Sequence, residues 1–156
     1  MALSRRSMLW MVPGATLAVP AGALLFPALA RAARLNAEDG IAVRGTDVVA
    51  YVTEGRPVPG SAAFAHVWQG ATWRFASAAN RDRFAADPDR HAPAYGGFCA
   101  YAVSEGYTAP IDPAAWRIVD GRLYLNYDRS VQRRWARDIP GRIARADANW
   151  PRLSAP

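Results

Sequence analysis

The chain has 156 residues and a formal net charge of +6, with arginine as its only basic side chain besides two histidines. That length fits one ordinary domain with a real core, and a single cysteine, Cys99, excludes an internal disulfide. Arg5, Arg6 and Arg31 lie in an N-terminal segment whose removal leaves +3 of the +6, so the charge does not point to nucleic acid.

The first predicted element is an export signal. Ser4-Arg5-Arg6-Ser7-Met8-Leu9 supplies a basic start, Trp10 to Ala30 is uncharged, and Ala30-Arg31-Ala32-Ala33 offers small residues for cleavage. The paired arginines favour the twin-arginine route, cleavage after Ala32, and a periplasmic destination. The uncharged run is long enough to span a bilayer, but Pro13, Pro20 and Pro27 with Gly14 and Gly22 disfavour a regular spanning helix. The signal is thus residues 1–32 and the domain residues 33–156, with no membrane-embedded part in the mature form.

Residues 33–45 read as a polar lead-in. Thr46 to Tyr51 is a short apolar run of strand type, stopped by Glu54-Gly55-Arg56-Pro57. Phe64 to Trp68 and Ala71 to Phe75 form a predicted hairpin about Gln69-Gly70, which sets His66 opposite Trp73 and Phe64 opposite Phe75. Ser77 caps a predicted helix over 78–86, and Asp87-Pro88 starts a short one that carries His91. Gly96-Gly97 permits a sharp change of direction before Cys99. Trp116 to Val119 and Arg122 to Tyr127 form a second predicted hairpin about Asp120-Gly121. Helix follows from Asp128, with Val131, Trp135 and Ile139 as its apolar stripe and a predicted Arg134–Asp138 pair; Pro140-Gly141 interrupts it. The expected class is α+β: a small single domain of antiparallel β-hairpins and short helices.

Five segments carry a resemblance. They are Gly45 to Tyr51, Trp68 to Phe75, Phe84 to Pro88, Ala92 to Tyr101 and Asp120 to Asn126, in consistent order over most of residues 45–127. In these the chain resembles the YHS-domain family, in its exported bacterial subgroup. The resemblance implies a small α+β, treble-clef-like domain, and a family often proposed to bind metal. The cysteines of the metal-type members are missing here: Asp47-Val48-Val49-Ala50 and Phe75-Ala76-Ser77-Ala78-Ala79-Asn80 contain none.

Cys99 remains the one soft donor. Thiolate with imidazole suits copper or zinc, and His66 and His91 are the available imidazoles, with Asp47 or Asp112 as oxygen donors. No pair has C-x-x-C or H-x-x-x-H spacing. Cys99 equally reads as a small buried hydrophobe, with Trp68, Trp73, Tyr95, Phe98, Trp116 and Tyr124 as core. The chain lacks G-x-S-x-G, a Walker loop, a dinucleotide fingerprint and H-E-x-x-H. The expectation is therefore a non-enzymatic, exported YHS-like binding protein that handles a transition metal through Cys99, His66 and His91. The alternative is a small-ligand or protein-interaction module with a structural cysteine. An enzyme with a reactive Cys99 comes third.

Overall fold

The computed structural model describes residues 34–155, so the predicted signal and its cleavage point lie outside the described residues. Three tight turns organise the strands. Asp39-Gly40 joins β1 (Ala37–Glu38) to β2 (Ile41–Ala42), Gln69-Gly70 joins β3 (Ser61–Trp68) to β4 (Ala71–Phe75), and Asp120-Gly121 joins β5 (Asp112–Val119) to β6 (Arg122–Asn126). All six turn residues have positive φ, from 49 to 77°. That is the turn whose twist matches the flanking strands. The first sheet runs β1-β2-β4-β3, with β2 parallel to β4, and β5-β6 is a separate antiparallel pair.

His66 pairs with Trp73 as the spacing predicts, but Phe64 does not oppose Phe75. Ser61 takes that place, and the register shifts between Ser61 and Ala65. An irregularity of this kind absorbs extra residues on one strand.

The segment Thr46–Tyr51 departs further from its predicted strand. Only Thr46 forms a bridge, to Pro59. The Asp47 carboxylate Oδ1 accepts the Val49 and Ala50 N–H groups at 2.9 and 3.2 Å, and the chain turns into helix α1 (Ala50–Thr53). A short acidic side chain bonding its own following amides competes with a strand ladder. Oδ2 accepts the Ala76 N–H and Asn80 Nδ2, both at 2.8 Å. The fully buried carboxylate thus meets four N–H donors from three segments.

The helices start where their caps stand. Ser77 caps α2 (Ala78–Ala86), Asp87 caps α3 (Pro88–His91) and Asp128 caps α5 (Arg129–Trp135), each accepting an amide three residues on. A short helix, α4 (Ala100–Ser104), follows Cys99. The predicted break at Pro140-Gly141 does not occur. Asp138 caps α6 (Ile139–Ser154), and Pro140 sits in its first turn, where a missing N–H costs no helical bond.

The described part of the polar lead-in, residues 34–45, contains β1, β2 and a tight turn, Val43–Gly45. In that turn Val43 and Arg44 have φ of 50 and 54°. Buried Val43, held in a region that branched side chains avoid, is strained backbone.

Two apolar clusters meet at β6. Leu123 and Leu125 face one, with Val49, Trp73, Phe75, Phe84 and Cys99. Tyr124 faces the other, with Tyr95, Val103, Trp135 and Ala146 of α6. A strand buried on both faces reads as a continuous apolar run, and Leu123-Tyr124-Leu125-Asn126 is buried throughout. The architecture is a small α+β domain. No helix among the described residues is long and apolar enough to cross a membrane.

Candidate functional site

Cys99 is placed by the glycine-rich turn before it. Tyr95, Gly96 and Gly97 have φ of 56, 59 and 79°. A Cβ at Gly96 would run into the Arg34 carbonyl, so only glycine fits there. Asn36 clamps the turn, its backbone N–H on the Gly96 carbonyl and its Nδ2 on the Gly97 carbonyl, both at 2.9 Å. The chain then enters α4, with the Cys99 N–H donating to the Ala109 carbonyl at 3.0 Å.

The thiol is almost fully buried and its polar partners are local. Sγ accepts the Tyr127 N–H at 3.2 Å and lies 3.9 Å from Asn126 Oδ1, to which the S–H donates. Asn126 Oδ1 also accepts the Tyr101 N–H at 3.2 Å, tying the end of β6 to the first turn of α4. Burial pushes the thiol up from its ordinary range, while amides of Ala102, Tyr127 and Tyr101 pull it down by less. Burial therefore favours the neutral thiol over the thiolate, which lowers its reactivity toward alkylating reagents. Iodoacetamide at pH 7.5 should label native Cys99 roughly 100-fold or more slower than the same chain unfolded in urea. Equal rates would show that the thiol is open to solvent.

The thiol forms part of the wall of a cleft of about 290 Å³. Tyr101 and Ala102 of α4, Tyr107 and Ala109 of the following loop, Tyr127, and Val131 and Arg134 of α5 complete it. Tyr107 and Tyr127 are each 52% exposed, so both rings open to solvent at its mouth. The Tyr101 ring is held from outside the cleft residues: the Arg142 guanidinium lies 4.2 Å from its centroid, in cation–π range. Arg142 is itself fixed by Glu105 and by Ser104 Oγ.

The other predicted site residues lie elsewhere. His66, on β3, sits edge-on to Phe84 at 6.0 Å between ring centroids. His91 ends α3, and burial followed by the Arg90 charge pushes its imidazole below the ordinary value, partly offset by Asp87. Asp47 is committed to its four donors. The Asp112 carboxylate accepts the Ala114 N–H at 2.8 Å. Among the described residues no three His, Cys, Asp or Glu side chains gather as a ligand set.

A wider, open cleft of about 520 Å³ lies between Arg44, Thr46, Pro57, Pro59, Asp112 and Pro113. Each of its charged groups has one internal hydrogen bond: Arg44 Nη1 donates to the Ile111 carbonyl at 3.3 Å, and Asp112 Oδ1 accepts the Ala114 N–H. The Cys99 cleft is the better site for a planar ligand, because aromatic rings line it and two of them, Tyr107 and Tyr127, are open to solvent.

Sequence reasoning found Cys99 but not Tyr107, Tyr127 or Arg134 beside it. They come from three separate segments, and nothing in their spacing joins them. No family model, no curated protein and no solved structure matches the chain.

Proposed function

We propose that the chain is a non-catalytic binding protein of YHS-like type, exported by the twin-arginine route to the periplasm, that receives a small planar molecule beside Cys99. The observation that carries this is the Cys99 cleft, a half-open recess lined by Ala102, Ala109, Val131 and tyrosine rings, two of which are open to solvent. Its volume sits at the lower end for ligand pockets, which suits a one- or two-ring molecule. Aromatic rings supply large contact area at low entropic cost.

Handling of copper or zinc through Cys99, His66 and His91 is the competing reading. It asks for an imidazole against the thiol. Asn126 Oδ1 and the Tyr127 N–H hold that place.

Titration of the full chain separates the two. The neutral planar probe 2-naphthamide should bind saturably, with NMR shifts confined to Tyr107, Tyr127, Val131 and their neighbours, and Ala109→Trp should abolish this by filling the cleft. Cu(I) and Zn(II) should bind weakly and alike to the parent chain and Cys99→Ser. A tight stoichiometric metal complex lost in Cys99→Ser would overturn this assignment and establish metal handling instead.

A further inference from the structure

The Cys99 cleft has one charged lining residue, and its expected partner has been taken away. On a continuous helix Arg134 and Asp138 would face each other one turn apart. The helix does not continue: α5 ends at Trp135, and Ala136–Asp138 tighten into a 3₁₀ turn. Asp138 then serves α6, its Oδ1 accepting the Gly141 N–H at 3.0 Å and its Oδ2 facing Arg145 at 3.5 Å. The ion pairs of the described residues do not include Arg134.

The surroundings of Arg134 favour an anion. The cleft lining contains no carboxylate. Asp128, the cap of α5, is outside that lining; its Oδ1 is bound to the Val131 N–H at 2.7 Å, and its charge reaches Cys99 only as the last of the influences on the thiol. Val131 lies one turn before Arg134 on the same face of α5, and tyrosine rings and the thiol make up the rest of the wall.

We infer that the ligand of this cleft is an aromatic carboxylate, its ring between Tyr107 and Tyr127 and its carboxylate on the Arg134 guanidinium. This rests on the cleft being a small-molecule site. A guanidinium presents paired N–H groups that fit the two oxygens of a carboxylate. A small inorganic anion would gain only that one exposed contact, whereas a ring also covers the apolar wall.

The test compares 2-naphthoate with 2-naphthamide by calorimetry on the full chain at pH 7. The carboxylate should bind about tenfold tighter than the amide. Arg134→Gln should bring the ratio of the two affinities close to one, while Arg133→Gln, one position away, should preserve the tenfold ratio. Equal binding of the two probes to the parent chain, or equal loss in Arg133→Gln, would overturn the inference and leave the cleft as a ligand site. Failure of both probes to bind would overturn the cleft assignment itself.

Discussion

Asp47→Ala should cost about 3–5 kcal/mol of stability, a large share of what a domain of this size possesses. The carboxylate is wholly buried, yet it is not an isolated charge. Val49 and Ala50 N–H groups reach Oδ1, and the Ala76 N–H with Asn80 Nδ2 reach Oδ2. Removing it strands those donors away from water, and each unsatisfied buried donor costs about 1–3 kcal/mol. The loss also unties three pieces of chain: the start of α1, the end of β4 and the first turn of α2. Asp47→Asn keeps the shape but turns one acceptor into a donor facing donors, so it should cost nearly as much. Asn80→Ala removes a single donor and leaves three, with an expected cost near 1 kcal/mol. Urea unfolding of the three variants checks the order. An Asp47→Ala chain within about 1 kcal/mol of the parent would mean that water replaces the carboxylate, and the hub would lose its structural meaning.

The same residue explains what could and could not be seen beforehand. Caps were legible because they act over three residues: Ser77, Asp87 and Asp128 all do what their side chains do locally. The turns at Gln69-Gly70 and Asp120-Gly121 were legible for the same reason. Thr46–Tyr51 misled because its apolar pattern fits a strand, whereas the Asp47 carboxylate drew the chain into a helix while also reaching Asn80, 33 residues away. Pro140 misled in the opposite direction. It reads as a breaker until Asp138 is known to start a new helix, after which it is a first-turn residue. That event also releases Arg134 from the pair its spacing implies.

The candidate site follows the same division. Cys99 stood out as the sole cysteine, and its buried state fits its type. Its hydrogen-bond partners come from the end of β6, and the rings about it come from Tyr107 and Tyr127. Those contacts exist only once the β5-β6 hairpin is packed against α4 and α5. Periodicity within any one segment does not encode them.

Phe84→Ala should cost about 3–5 kcal/mol by opening the larger core cluster. Phe84 is fully buried on α2 and stands among four rings. Its centroid is 4.9 Å from Trp73, 5.1 Å from Phe75, 5.7 Å from Trp68 and 6.0 Å from His66. Tilted and edge-on pairs of this kind add about 0.5–1.5 kcal/mol each beyond the area they bury. The neighbours cannot collapse freely into the space. Trp73 and Phe75 are fixed by the β3–β4 ladder, and Trp73 Nε1 donates to the Trp68 carbonyl at 3.2 Å. A rigid wall leaves the cavity open, which puts the cost at the upper end for a deleted ring. Phe84→Leu should recover more than half of the loss, because it restores volume without the ring edges. Two readouts separate this from general loosening: the His66 ring protons should shift in Phe84→Ala, and Cys99, in the same cluster, should alkylate faster only in proportion to the lost stability. A cost below about 1.5 kcal/mol would mean that the rings repack, and that the cluster is held by its strands rather than by the ring at its centre.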